Sequence, residues 1–276
     1  MVTSREVFSS APLAMVVAET RFSYSPRLAS EEGMAQALAQ VERFAPVREA
    51  FKQESVELQP GADGPSALTA QVTNGMLARS LDLQTTVAVT PQSITVAMSG
   101  TAYSMFEDSL RLVVEAACAG VADMTETPIV TRAGLRYLDE VRVPEPPSDI
   151  AEWSRWISPE LLGAAGYLRD VSGVAQGMRS TWHYSLPGDR QVVLNYGPFY
   201  GVGVVGPEHP FHKPGPSSLM FVLDLDCSWT PPLGAAQLTV PELLARYDEL
   251  HSPAKAVFAA AVTDEARSLF RGETQP

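Results

Sequence analysis

The chain has 276 residues, with 20 Lys and Arg against 32 Asp and Glu, a formal net charge of -12 and 45% hydrophobic residues. That apolar fraction excludes a disordered chain, and the negative charge disfavours a groove for nucleic acid, which needs clustered Lys and Arg. The two cysteines, Cys118 and Cys227, exclude a disulfide scaffold, and the length suits one large domain or two of about 140 residues.

Residues 13–24 alternate as a strand, with Val16, Ala18, Thr20, Phe22 and Tyr24 on one side and Glu19 and Arg21 on the other. Ser30 before Glu31 and Glu32 predicts a helix N-cap, followed by Met34, Ala37, Leu38 and Val41 at helical spacing up to Pro46. Residues 59–66 form a Gly/Pro loop. Strands are predicted over 76–89 and 93–99, joined by a hairpin turn at Thr90-Pro91-Gln92. From Tyr103 the period changes: Phe106, Leu110, Val113, Val114, Ala117 and Val121 describe one face of a long helix. A strand over 129–143 follows and ends in the breaker VPEPPSD.

That breaker divides the chain into an N-terminal α+β half, 1–143, and a C-terminal α+β half, 149–276, which are expected to form one integrated unit. In the second half a helix is predicted over 149–162. Strands follow at 166–186, 190–205 and 218–229, the first two joined at Pro187-Gly188-Asp189. Thr239-Val240-Pro241-Glu242 is a capping box that opens a helix through Leu243, Leu244, Tyr247 and Leu250. Ser252-Pro253 is expected to restart or kink it. Runs of strands followed by helices point to an α+β fold: a curved antiparallel sheet with long amphipathic helices on one face and two similar halves. The apolar run Ala11–Ala18 is too short for a signal peptide, and no stretch is long enough to span a membrane. A cytoplasmic protein without a membrane partner is expected.

Few motifs carry chemistry. Gly201-Val202-Gly203-Val204-Val205-Gly206 fits G-x-G-x-x-G, but Pro207-Glu208-His209-Pro210 cannot open the helix that a dinucleotide site requires. His209 and His212 sit in a Pro-rich loop without further ligands, so no metal is predicted. No phosphate loop, nucleophile elbow or zinc motif occurs, and no cofactor is expected. Cys118 and Cys227 read as small buried hydrophobes.

The sharpest feature is TRAGLRYLDEVRV, residues 131–143. Arg132, Gly134, Arg136, Leu138, Glu140 and Arg142 face one side; Ala133, Leu135, Tyr137, Asp139 and Val141 face the other. The two arginines can bracket an anion or carboxylate. Asp224 and Asp226 share one face of LMFVLDLDCSW and can meet them across a sheet. Such pairs would be either an ion ladder that fixes register or a polar binding site. His183 alternates with Arg179, Thr181 and Ser185 on a further strand.

The segments Arg132–Tyr137 (R-x-G-L-R-Y), Leu223–Asp226 (L-D-x-D) and Ala261–Glu265 (A-x-T-D-E), with Tyr103 and Phe106 opening the central helix, together resemble a sporadically distributed, functionally uncharacterised family of bacterial α+β proteins. The family's usual Asn after R-x-G-L-R-Y is absent, with Leu138 and Asp139 there instead. The resemblance implies a full-length α+β fold and no particular activity.

The functional expectation is a non-catalytic binding or accessory protein. It would recognise a peptide, a protein partner or a small anionic ligand on a sheet face or edge, through Arg132, Arg136, Asp224, Asp226 and His183. Two alternatives stand beside it. One is an enzyme using Asp224, Asp226 and His183 as acid/base groups in a pocket between sheet and C-terminal helix. The other is a self-associating module forming a homodimer.

Overall fold

The computed structural model describes residues 8–59, 67–125, 128–163, 177–203 and 217–273. The loop expected at 59–66, the H-x-x-H segment and much of the strand expected from 166 lie outside the described residues. The strands are β1 (Leu13–Phe22), β2 (Val47–Gln59), β3 (Ala67–Arg79), β4 (Thr85–Thr90), β5 (Ser93–Ser99), β6 (Ile129–Val141), β7 (Ser180–Leu186), β8 (Arg190–Gly201), β9 (Ser218–Trp229) and β10 (Ala236–Gln237). They form one antiparallel sheet in the order β2-β3-β4-β5-β1-β6-β9-β8-β7, with β10 also paired to β6. The fold is therefore α+β. The pairings of β6 with β9 and with β10 join strands from the two sides of the 143–149 breaker.

Alternation decides which way each strand faces. Val16, Ala18, Thr20 and Phe22 of β1 are buried, as are Leu135 of β6 and Leu223, Leu225 and Cys227 of β9. Helix α1 (Glu31–Ala37) begins where expected, with Ser30 Oγ accepting from Gly33 N at 3.1 Å. Helix α2 (Arg111–Thr125) follows a wide turn at Phe106–Leu110 and buries Val113, Val114, Ala117, Cys118 and Val121. Helix α4 (Val240–Ala261) starts at the expected capping box: Thr239 N donates to Glu242 Oε2 at 2.8 Å, and Glu242 N to Thr239 Oγ1 at 3.4 Å. It runs unbroken through Pro253 rather than restarting there. Among the described residues, no helix is long and apolar enough to cross a membrane.

Several expected elements come out differently. The strand over 76–89 is two strands, because the Ser80 and Asp82 side chains build a turn between them. Gln84 N donates to Ser80 Oγ and Asp82 Oδ1, and Leu83 adopts φ 60. The helix over 149–162 is a 3-10 turn, Ile150–Arg155, followed by the short helix α3 (Pro159–Leu162). Pro159 has no N–H to continue a helix arriving from Trp156. The strand expected to reach Val143 ends at Val141. β2, paired with β3 along its whole length, has no counterpart in the sequence expectation.

Trp153 packs against Phe221 with ring centroids 5.3 Å apart, docking the 3-10 turn on β9. Helix α5 (Asp264–Phe270) closes the chain, its N-cap Thr263 accepting from Ala266 N. A polar contact crosses the core: Thr20 Oγ1 lies 2.8 Å from the Tyr247 hydroxyl, both buried. Losing one partner of such a pair costs more than losing both, because the survivor stays buried without a hydrogen bond. Tyr247→Phe should therefore lower stability by about 1–3 kcal/mol. Adding Thr20→Val should recover part of that loss, and urea unfolding of the three variants checks the ordering.

Candidate functional site

Strand β6 presents two chemistries, one on each side. Arg132, Gly134, Arg136 and Leu138 point away from Thr20 and Tyr137, whose hydrogen-bond partners Tyr247 and His251 lie on α4. Register then lays out three rows on this outer face. Glu19, Gly134, Ser228 and Gln191 form the first; Val17, Arg136, Asp226, Val193 and His183 the second. Met15, Leu138, Asp224, Asn195 and Thr181 form the third.

The arginines reach their partners along the diagonals of these rows. Arg132 donates to Glu19 Oε2 at 2.9 Å and to both oxygens of Asp226 at 3.1 and 2.9 Å. To do so its guanidinium lies across Gly134, where a Cβ would stand 2.3 Å from Arg132 Nη1. A Cβ at 134 would make this guanidinium shift, so glycine leaves its path across the strand open. Arg136 binds Asp224 in a two-point fork, Nε to Oδ1 at 2.6 Å and Nη2 to Oδ2 at 2.7 Å. These hydrogen bonds raise the Arg136 pKa above its ordinary value. Asn195 Nδ2 approaches Asp224 Oδ2 at 3.5 Å, and the Thr181 hydroxyl donates to Asn195 Oδ1 at 2.8 Å.

Four of the five residues singled out in the sequence therefore meet on one face as two ion pairs. His183 shares the row of Arg136 and Asp226 but is separated from them by Val193, and it is exposed on the sheet's terminal strand. The arrangement that would set Asp224, Asp226 and His183 in a pocket against the C-terminal helix is not met. The aspartates lie on the side away from α4 and are engaged as ion-pair acceptors. Among the described residues, no three His, Cys, Asp or Glu side chains converge as a metal site would require.

Where the second ion pair ends, the outer face opens into a cleft of about 270 Å³. Arg136, Asp224 and Asn195 line one part; Leu138, Val222 and Phe199 supply apolar surface. Met178 and Arg179 complete the wall. Their backbone crosses closely over β8 at Gly197, where a Cβ would stand 2.3 Å from the Met178 carbonyl oxygen. Leu138 also belongs to a small apolar cluster with Ala97, flanked by Met15, Val17 and Val222. Arg179 appeared in the sequence only as a neighbour of His183 in the alternation. Asn195 gave no signal, since only register brings it beside Asp224.

On the opposite side of β6 lies a second polar group. The Tyr137 hydroxyl is 2.9 Å from His251 Nδ1 and 3.4 Å from the Tyr103 hydroxyl, and His251 stacks on Phe106 at 4.6 Å. Burial pushes Tyr103 up to about 12 and Tyr137 well above its usual value, and it lowers His251. Asp139, 6% exposed, is pushed up to about 7 by desolvation. Cys118 and Cys227 are free, buried and likewise raised to about 12, which makes them poor nucleophiles.

No protein-family model matches the chain, and no curated protein does.

Asp139 yields a pH prediction. Its folded pKa of about 7 lies above the ordinary 3.8. The folded state therefore keeps a proton that the unfolded chain releases, and this contribution to stability is lost as pH rises through that window. It amounts to about 4 kcal/mol between pH 4 and pH 8. Asp139→Asn should erase that contribution, so the variant gains on the wild type as pH rises. Urea unfolding across that range checks it, and parallel profiles would contradict it.

Proposed function

We propose that the chain is a non-catalytic binding protein whose recognition surface is the outer sheet face at the Arg136–Asp224 cleft. In this reading the amphipathic helices share the other face and leave this one for a ligand or partner. The observation that carries it is the coincidence of the cleft with the Arg136–Asp224 pair. A row of register-fixing ion pairs needs no concavity, yet here the last pair borders one that also holds apolar surface and a further arginine. Small ligand sites combine apolar lining with a few placed polar groups in this way. The cleft is smaller than sites for drug-sized molecules, which start at roughly 300 Å³, and this favours a compact ligand or a single anchoring side chain of a partner.

An unbiased crystallographic fragment screen tests the reading. Fragments are expected to accumulate at Leu138, Val222, Phe199 and Arg136. Accumulation instead in the similar cleft lined by Phe22, Tyr24, Met124 and Ile129 would move the site elsewhere.

A second reading, self-association, is favoured by β7. This terminal strand, Ser180–Leu186, carries no Asp, Glu, Lys or Arg, and Trp182 and Tyr184 on it are exposed and 5.8 Å apart. Edge strands are usually guarded by charge or proline. Sedimentation that finds only monomer at every usable concentration disposes of this reading.

A further inference from the structure

We propose that the cleft binds a monocarboxylate carried on a compact apolar group and that Arg179 is the residue that holds the carboxylate; this rests on the binding reading above. Two guanidiniums and one carboxylate line the cleft. Arg136 is committed to Asp224 through two short hydrogen bonds, so that pair is internally neutral. Arg179 is exposed and makes no hydrogen bond or ion pair among the described residues. One positive charge is therefore left over at this place, on a chain whose net charge is -12.

Geometry narrows the anion. A free guanidinium offers a planar fork that matches a carboxylate with two parallel hydrogen bonds. A dianion would gain from the same fork but would bring its second charge near Asp224, where no further cation lines the cleft among the described residues. A single negative charge is what the cleft balances. Asn195, whose amide nitrogen is only 3.5 Å from Asp224 and loosely held there, can supply a further donor.

Size and lining narrow the rest. At about 30 Å³ per water molecule, the 270 Å³ of the cleft is the volume of about nine waters, which suits a compact ligand. Leu138, Val222, Phe199 and Met178 give that ligand an apolar bed. The close passage of Met178 over Gly197 fixes the segment that carries Arg179 against the cleft rather than leaving it to solvent. A free aryl- or alkyl-substituted acid and the C-terminal residue of a peptide present the same chemistry.

The test titrates the full chain with 3-phenylpropionate, with 3-phenylpropionamide and with the tripeptide Ala-Ala-Phe bearing a free C-terminus, followed by amide NMR shifts and calorimetry. The acid and the peptide are expected to bind, with shifts at Leu138, Val222 and Phe199. The amide should bind at least about tenfold more weakly, because it loses the charge-assisted fork. Arg179→Gln should weaken the acid by a similar factor while leaving the urea midpoint unchanged, since the side chain is exposed and makes no ion pair among the described residues. A tighter peptide than free acid identifies a chain terminus as the source, and the reverse identifies a small molecule; both uphold the proposal. Equal affinity for acid and amide, indifference to Arg179→Gln, or no binding by either carboxylate overturns it. In those cases the binding surface itself stands if uncharged ligands still shift the cleft residues, and it falls if every ligand shifts residues elsewhere.

Discussion

Strand β6 is hydrogen-bonded on both sides, to β1 and to β9, and this constraint governs the rest of the molecule. A strand held by two neighbours cannot turn or slip by one residue without exchanging its faces. Ala133, Leu135, Tyr137, Asp139 and Val141 must then meet what α4 and the core provide, while Arg132, Arg136 and Leu138 must meet the other side. The same lock transmits to β9, where Leu223, Leu225 and Cys227 are buried and Asp224 and Asp226 are not. Arginine and aspartate meet because both strands keep register, not because either sequence specifies the other.

The ion pairs that result hold less of the fold together than the apolar side chains on the other side of the same strands. Partly exposed pairs contribute about 0–1 kcal/mol, whereas fully burying one Leu or Phe contributes roughly 1.5–3 kcal/mol. Phe221, Leu135 and Leu223 are buried to 2% exposure or less, so the core side sets the register and the ladder follows it. Arg136, with half its side chain exposed, borders the cleft with its charge already matched by Asp224. The inner side is the reverse case. There Asp139 is shielded from water, and its proton becomes part of the folding equilibrium.

Much of this was legible in the chain, and what was not has identifiable causes. The alternation of β1, β6 and β9 and the Thr239 capping box could be read because each depends on residues close in sequence. The turn between β3 and β4 was hidden. Ser80 and Asp82 build it with side-chain hydrogen bonds, without the Gly or Pro that usually marks a reversal, and the flanking residues keep alternating. β2 was hidden for a different reason: Val47–Gln59 has too few apolar residues for a period to show. At the site, Arg132, Arg136, Asp224 and Asp226 announced themselves by sharing strand faces. Asn195 and Arg179 did not, since their place beside Asp224 depends on β8 pairing and on the crossing at Gly197, which are non-local.

The central claim is that the outer-face charges serve recognition while the buried face holds the sheet. A double-mutant cycle across Arg136 and Asp224, read by urea unfolding, tests it most directly. The account predicts a coupling of no more than about 1 kcal/mol and cooperative unfolding in all four proteins. A coupling of several kcal/mol, or loss of cooperative unfolding in the double variant, would show that the pair is a structural strut and would contradict the assignment of this face to binding.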